Sequence, residues 1–133
     1  MHRLFLDANI LFSAAYKATK LRSLWESGID LLSSPYAIAE ARRNIIAVRG
    51  EVTDILDALL KDVQLTSEGK LTDIPEAVSL PDKDKPILAA AIHTRATHLL
   101  TGDFKHFGQY FGQTIVGVCV LPPADYFCLV EQS

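Results

Sequence analysis

The sequence predicts an α/β protein, a three-layer sandwich with a mainly parallel central sheet flanked by helices. Strand and helix signals alternate along the whole chain, as expected when helices connect parallel strands. The strand candidates are short and continuously apolar, beginning with residues 4–6, which is typical of strands buried on both faces. The 133 residues are enough for one hydrophobic core, so we expect a single domain over residues 1–133.

Turn and cap residues divide the chain into these elements. The predicted strands are residues 4–6, 29–32, 63–65, 98–101 and 114–120. The predicted helices are residues 8–16, 21–26, 35–50, 51–62 and 86–96, followed by a short last helix that Pro122 and Pro123 begin. Gly28 is the expected C-cap of the second helix, and Ser34 with Pro35 the expected start of the third. Residues 66–83 are polar and contain Gly69, which predicts a loop.

Composition places the chain among ordinary globular proteins, with 49% hydrophobic and 22% charged residues. No apolar run approaches the roughly 20 residues that span a bilayer. Asp7 comes too early for a secretory segment, so we expect no membrane association and a cytoplasmic location. Cys119 and Cys128 have apolar neighbours and predict buried, reduced thiols.

The formal net charge of −3 and the pI near 5.7 argue against a module that binds nucleic acid by bulk electrostatics, because such modules carry a basic excess. They argue less against a nuclease, since catalytic carboxylates and their metals contribute charges of opposite sign.

Four acidic residues are expected at one edge of the sheet. Asp7 follows the first strand and Asp103 follows the strand at 98–101, and ligands of open α/β sheets gather at the carboxyl ends of the strands. Crossover helices begin near that same edge. Asp84 stands at the start of one helix, and Glu40 lies roughly 7–8 Å along another.

Each acid also has a structural explanation. Asp7 and Asp84 are suited to capping the helices that follow them, and Asp103 after Gly102 suits a turn. Glu40 suits a solvated helix face. The shared edge is the observation that favours one site over four separate roles.

Clustered carboxylates raise one another's pKa and stay ionised together only with a cation among them. All-oxygen ligands favour Mg²⁺ or Mn²⁺. Such a centre suits phosphodiester hydrolysis, because the cation acidifies a water and neutralises the phosphate. No zinc alternative is expected, since the histidines at 2, 93, 98 and 106 are isolated in the sequence.

Several other classes lack their motifs here. A receiver domain needs adjacent acids after the first strand, and a haloacid-dehalogenase-type phosphatase needs Asp-x-Asp there, whereas Asn9 follows Asp7 and Ala8. The glycine-rich phosphate loops of Rossmann and P-loop nucleotide binders are missing from the sequence.

Four segments carry a family resemblance. They are Leu-Asp-Ala-Asn-Ile-Leu at residues 6–11, Ser-Pro-Tyr-Ala-Ile-Ala-Glu at 34–40, Asp-Lys-Pro-Ile-Leu-Ala-Ala-Ala at 84–91 and Leu-Thr-Gly-Asp at 100–103. In order and spacing they resemble the signature blocks of PIN domains, and the small size is similar to VapC-type toxins and other stand-alone prokaryotic PIN proteins.

The resemblance implies a Mg²⁺- or Mn²⁺-dependent endoribonuclease. Its catalytic residues would be Asp7, Glu40, Asp84 and Asp103, with the metal on the three aspartates. It further implies that Asn9 orients the first acid and that Thr101 supports the last by hydrogen bonding.

Two positions depart from the pattern or compete with it. Many relatives carry another acid two residues after the last aspartate, where this chain has Lys105, so one firmly held metal is expected. Asp82 competes with Asp84, which we prefer because it stands at the family's distance from the apolar helix.

Cations and aromatic residues near the predicted edge are candidates for binding nucleic acid. The cations are Arg42, Arg43, Lys85 and Lys105, with Lys83 and His106 nearby. The aromatic residues, which suit stacking on bases or capping the core, are Phe104, Phe107, Tyr110 and Phe111.

The resemblance also predicts partners: an RNA substrate, a cognate antitoxin if the protein is a toxin, and a second copy of the chain. The apolar faces of residues 21–25 and 51–60 are the surfaces expected to allow a dimer. The alternatives left open are a PIN-like scaffold that binds RNA or protein without cutting, and an orphan housekeeping nuclease.

Overall fold

A six-stranded sheet forms the centre of the fold in the computed structural model, which describes residues 1–17 and 20–132. The strands are Arg3–Leu6 (β1), Asp30–Ser33 (β2), Val63–Leu65 (β3), His98–Leu100 (β4), Thr114–Ile115 (β5) and Val118–Leu121 (β6). Their order is β3-β2-β1-β4-β6-β5, and only β5 runs antiparallel to its neighbour. The predicted α/β fold with a mainly parallel sheet is confirmed.

Helices connect the strands, with bounds close to those predicted except for the short helix at residues 104–107, which was not predicted. They are Ala8–Tyr16 (α1), Ser23–Glu26 (α2), Pro35–Arg49 (α3), Thr53–Leu60 (α4), Lys85–His93 (α5), Phe104–Phe107 (α6) and Pro123–Glu131 (α7). Ser34 caps α3 as expected, its Oγ accepting the Ala37 N–H at 3.2 Å. Gly28, with a φ of 78°, follows the end of α2 in the left-handed conformation expected of a C-cap glycine.

Helices cover both faces of the sheet, so the fold has three layers: helices, sheet and helices. Leu4 and Leu6 of β1 pack with residues of α1, α4 and α7, whereas Phe5 between them packs with α5 and α6. Neighbouring strands divide their side chains in the same way, with Leu100 on the first face and Leu99 on the second. This alternation explains why the strands are continuously apolar in sequence.

The chain changes its winding direction between β1 and β4. From β1 it proceeds to β2 and β3 on one side, and it then returns to place β4 on the other side of β1. A crevice forms at the carboxyl ends of strands where connections leave in opposite directions. Asp7 and Thr101 follow directly on these two strands, so they stand at this crevice.

The single strand predicted at 114–120 is wrong, because this segment forms two antiparallel strands, β5 and β6, joined by a tight turn. Val116 and Gly117 have φ values of 48° and 85°, as in a two-residue turn with positive φ at both central positions. Of the two, only glycine favours a positive φ, and Val116 stands where Asn, Asp or Gly is usual, so the sequence did not indicate the turn clearly.

The helix predicted at 86–96 ends earlier, at His93. Arg95 takes a φ of 58°, its N–H donates to the Ile92 carbonyl at 3.1 Å, and the Ala96 N–H reaches the Ala91 carbonyl at 3.0 Å. These paired bonds form a Schellman ending with a non-glycine residue in the left-handed position, which the sequence does not signal.

The surfaces predicted for a dimer are used inside the chain. Trp25 of α2 donates from Nε1 to the Leu59 carbonyl of α4 at 2.9 Å, and Leu24 and Leu56 are buried in one cluster. Parts of both faces are therefore packed inside the chain, while Ile55 of α4 remains 38% exposed, and the dimer stays a prediction.

The cysteines are free, as expected, but they are not both buried. Cys119 is half-buried, whereas Cys128 is exposed on α7, which corrects the prediction for that residue.

Across the described residues, no helix combines the length and apolarity needed to cross a bilayer.

Candidate active site

Asp7 is buried at the carboxyl end of β1, with 3% of its surface exposed. It caps α1, its Oδ1 accepting the Ala8 N–H at 2.7 Å. Its second oxygen, Oδ2, accepts the Thr101 hydroxyl proton at 2.8 Å and the Asn9 amide at 3.3 Å. Asp7 therefore caps α1 with one oxygen and belongs to a polar site with the other.

Thr101 and Asn9 join the ends of β1 and β4. The Thr101 hydroxyl donates to Asp7 and accepts the Asp103 backbone N–H at 3.1 Å. The Asn9 carbonyl oxygen accepts the Gly102 N–H at 2.8 Å. The expected link between Asn9 and the first acid is present. Thr101 also makes the expected hydrogen bond to the last acid, although to its backbone N–H, and its own proton goes to the carboxylate of Asp7.

Asp84 places its carboxylate in the site instead of capping its own helix. It stands at the N-cap of α5 but makes no side-chain capping bond, and it is 8% exposed. Its Oδ2 is buried and forms no hydrogen bond within the described residues. Asp82, the competing acid, has a 98% exposed side chain paired with Lys85 at 3.4 Å. The geometry therefore favours Asp84.

Asp103 is bound to a histidine that looks isolated in the sequence. Its Oδ1 accepts the backbone N–H of His106 at 3.1 Å, which caps α6, and its Oδ2 lies 2.8 Å from His106 Nδ1. The same Nδ1 lies 3.1 Å from Asp84 Oδ2. Treating His106 as isolated was wrong; its spacing of three residues from Asp103 in a helical turn was the available signal. His2 and His98 are not isolated either, since their ring centroids lie 4.5 Å apart.

These side chains surround one polar depression of about 310 Å³ at the crevice. It is lined by Asp7, Asn9, Glu40, Asn44, Lys83, Asp84, Gly102 and Asp103. All four predicted acids are thus brought together, including Glu40, which is half-buried and not on a fully solvated face. Asn44 was missed, although it follows Glu40 by one helical turn and shares its face.

The charges in this depression oppose one another. Burial raises the pKa of Asp7 from 3.8 to about 6, although hydrogen bonds from Thr101 and Ala8 lower it, and the charges of Glu40 and Asp84 raise it further. Burial and then the charge of Asp103 raise the pKa of Asp84, against the opposing effects of His106 and Lys83. A divalent cation among these oxygens reverses the repulsion, so the donor set fits such an ion.

Most of the predicted cations lie elsewhere. Arg42 pairs with Asp57 of α4 at 2.8 Å, and Lys85 pairs with Asp82. Arg43 and Lys105 are exposed but do not line the depression. Lys83 is the cation that does line it. The nucleic-acid-binding role of these four residues stays a prediction, with Arg42 and Lys85 each paired with an exposed carboxylate.

The predicted aromatic group is divided between core and surface. Phe107 is fully buried, and the Tyr110 hydroxyl accepts the Ser79 N–H at 2.6 Å. Phe104 is 69% exposed, with its ring 5.1 Å from that of Phe111 in an edge-to-face arrangement. Only Phe104 offers a largely free ring for stacking, since the others pack inward or form local contacts.

Tyr36 supports the site from α3 and was not identified from the sequence. Its hydroxyl donates to the Lys83 carbonyl at 2.6 Å, which anchors the chain next to Asp84. Burial, and then the charges of Glu40 and Asp84, raise the pKa of Tyr36. Its hydroxyl therefore remains a donor at neutral pH.

Comparison with known proteins is informative at the level of structure. No family model and no curated protein sequence matches the chain. A chain of the VapBC2 complex of Rickettsia felis, solved bound to a DNA fragment from its promoter, superposes with a TM-score of 0.67 at 18% identity, covering 90% of this chain and 97% of that one. VapC20 of Mycobacterium tuberculosis, a sarcin-ricin loop cleaving toxin, superposes with a TM-score of 0.62 at 10% identity, covering 84% of this chain and 98% of that one.

The chain therefore has the PIN-type α/β fold of VapC proteins, as the resemblance in sequence led us to expect. At identities this low, a shared fold does not by itself establish a shared activity.

Proposed function

We propose that this protein is a metal-dependent endoribonuclease that hydrolyses phosphodiester bonds of RNA. The observation that carries the proposal is the convergence of Asp7, Glu40, Asp84 and Asp103 on one polar depression. Burying mutually repelling carboxylates is costly, and a scaffold that only binds gains nothing from it. The fold neighbours support the proposal, because one of them is a sarcin-ricin loop cleaving toxin.

The side chains divide into two groups by their contacts. Asp84 and Asp103 direct oxygen atoms toward each other and belong to the group that can hold a metal, and Asp7 lines the same depression with both oxygens already hydrogen-bonded. We propose these three aspartates as direct or water-mediated ligands of Mg²⁺ or Mn²⁺. When bound, such a cation supplies charge neutralisation on the phosphate and a more acidic water.

The remaining residues position the ligands or meet the substrate. Thr101 and Asn9 hold Asp7 at the β1–β4 crevice through hydrogen bonds to its Oδ2. Glu40 faces the depression from α3, where its half-buried carboxylate is available to accept a proton from water. Lys83 is placed to contact a phosphate oxygen, since it lines the depression and carries a positive charge.

The proposal is tested by incubating the purified chain with single-stranded RNA, structured RNA and DNA, with EDTA, Mg²⁺ or Mn²⁺. We expect RNA cleavage only with a divalent cation, and a loss of at least about 100-fold in Asp7→Asn and Asp103→Asn, as is typical when essential carboxylates are removed. Asp54→Asn, which alters an exposed acid of α4, is the matched control. RNA binding without cleavage under all metals would instead support the non-cleaving scaffold.

The biological role we propose is the toxin of a toxin–antitoxin pair acting in the cytoplasm, with a cognate antitoxin and a second copy of the chain as partners. It rests on likeness to VapC folds. Expression alone should arrest growth, co-expression with the product of a small neighbouring gene should restore it, and Asp7→Asn should be harmless. RNA cleavage without any growth effect would favour an orphan housekeeping nuclease.

A further inference from the structure

A ring nitrogen of His106 lies beside two carboxylates of the acidic site. Asp84 Oδ2, Asp103 Oδ2 and His106 Nδ1 lie within 4.8 Å of one another. Nδ1 is 2.8 Å from the oxygen of Asp103 and 3.1 Å from that of Asp84. The cluster therefore offers two carboxylates and one imidazole, a different donor set from the all-oxygen site expected from the sequence.

Asp84 supplies an independent sign that something binds here. The residue is 8% exposed, and its Oδ2 forms no hydrogen bond within the described part of the chain. His106 Nδ1 lies 3.1 Å from this oxygen but only 2.8 Å from Asp103, and one nitrogen cannot donate a proton fully to both, so the buried Asp84 oxygen lacks a hydrogen bond of its own, which costs free energy. Because this oxygen lies close to His106 Nδ1, one cation could contact both atoms.

The local fold holds His106 in this position. Asp103 begins α6 and accepts the backbone N–H of His106, which fixes the histidine one helical turn from the carboxylate. The side chain of His106 is 20% exposed, so its ring has limited freedom. A ring nitrogen with a free lone pair is repelled by two carboxylates, unless a proton or a cation lies between them.

We propose that His106 Nδ1 is a direct ligand of the divalent cation together with Asp84 and Asp103, which makes the site selective for Mn²⁺ over Mg²⁺. The inference rests on the proposed function in assuming that this site holds a cation. Imidazole nitrogen is a good ligand for first-row transition ions, whereas Mg²⁺ prefers oxygen and retains its waters. The neutral tautomer carrying its proton on Nε2 leaves Nδ1 free to bind.

Manganese binding provides a readout independent of nuclease activity. Titrating the purified full chain with Mn²⁺ while following the EPR signal of the free ion gives the Mn²⁺ affinity, and competition with Mg²⁺ gives the second affinity. In His106→Asn, an amide oxygen replaces Nδ1 at a similar distance along the side chain. We expect Mn²⁺ affinity to fall about tenfold or more and Mg²⁺ affinity to change by less than about threefold.

His93→Asn is the matched control, because His93 is exposed in the last turn of α5, the helix that begins next to Asp84. It should leave both affinities unchanged. Equal losses of Mn²⁺ and Mg²⁺ affinity in His106→Asn would overturn the proposal and assign His106 to positioning Asp103.

Electron spin-echo modulation from ¹⁴N gives a direct test on the wild-type chain, so it does not depend on a variant folding. The Mn²⁺-loaded protein should show coupling to one imidazole nitrogen that persists in His93→Asn and disappears in His106→Asn. No ¹⁴N coupling in the wild type would overturn the inference, even if the protein cleaves RNA. Coupling without RNA cleavage would support the metal site and count against the proposed nuclease.

Discussion

The Thr101 hydroxyl donates a 2.8 Å hydrogen bond to Oδ2 of Asp7, across the crevice between β4 and β1. This bond opposes the effect of burial, and with both acting the pKa of Asp7 is about 6. Thr101 is fully buried, so water does not readily replace its hydroxyl. The ionised state of Asp7 near neutral pH therefore depends on a residue of a different strand.

Thr101→Val should shift the pH dependence of the proposed RNA cleavage toward higher pH. Without the donor the pKa of Asp7 rises, so less of the carboxylate is ionised at a given pH. A hydrogen bond to a charged group contributes roughly one pKa unit or more, which predicts a loss of RNA cleavage of about fivefold or more at pH 6 and a much smaller loss at pH 8. Thr101→Ser keeps the hydroxyl and should follow the wild-type pH profile. An equal loss at both pH values would contradict this explanation.

Asp7→Asn should stabilise the metal-free protein while abolishing cleavage. The unfolded carboxyl ionises near 3.8 and the folded one near 6, so the folded state binds the proton more tightly. The cost of ionisation therefore grows as pH rises from about 4 to 6 and stays constant above, reaching at most roughly 3 kcal/mol. The hydrogen bonds that asparagine cannot accept reduce that gain.

Urea unfolding with EDTA at pH 5 and pH 7.5 measures the effect, which should be larger at pH 7.5. Asp82→Asn is the control, because the Asp82 side chain is almost fully exposed. A variant less stable than the wild type at pH 7.5 would show that the hydrogen bonds of Asp7 outweigh its charge.

Asp84→Asn and Asp82→Asn form a matched pair two residues apart. Asp84 lines the acidic depression, and Asp82 pairs with Lys85 outside it. We expect RNA cleavage to fall at least about 100-fold in Asp84→Asn and to change less than about twofold in Asp82→Asn, because exposed ion pairs contribute little. Equal losses in both variants would mean that the loop before α5 matters as a whole.

Gly69→Ala should strongly destabilise the protein. A Cβ at Gly69 would lie 2.0 Å from the carbonyl oxygen of Ala89 on α5, so the loop and the helix carrying Asp84 would have to separate. Overpacking against backbone costs on the order of 1–3 kcal/mol or more. Gly50→Ala is the control, since a Cβ there would have no atom within 4 Å and the φ of Gly50 is −56°. Thermal unfolding should lower the Tm of the first variant by several degrees and leave the second unchanged.

His98 should make stability fall below neutral pH. Burial, and then the charge of His2, lower the pKa of His98 below 6.5. The unfolded state therefore binds the proton more readily, so the stability contributed by neutral His98 is complete above about pH 6.5 and declines as pH falls toward the folded pKa.

His98→Phe removes this titration while keeping an aromatic ring beside Tyr126, whose ring lies 5.3 Å from that of His98. The difference in unfolding free energy between the two proteins should change with pH between 7.5 and 5.5, with the wild type losing more. A constant difference would contradict the prediction.

Local patterns in the sequence were enough to define the layers of the fold. Continuous apolar strands such as β1 require cover on both faces, and the Ser34 cap with Pro35 begins α3 where expected. The positions of Asp7 and Asp103 after parallel strands were sufficient to predict that they share an edge. These features depend on neighbours in the chain and on the periodicity of buried residues, which a sequence displays directly.

Tertiary structure decided what each polar side chain contacts. Asp84 does not cap its helix but places Oδ2 3.1 Å from His106 Nδ1, a contact that only the fold reveals. Thr101 bonds to Asp7 because β1 and β4 become neighbours. Arg42 is engaged by Asp57 for the same reason. The acidic edge was thus determined by the sequence. The approach of the His106 nitrogen to its carboxylates and the bond from Thr101 to Asp7 depend on distances of about 3 Å between residues far apart in the chain, which only the fold brings together.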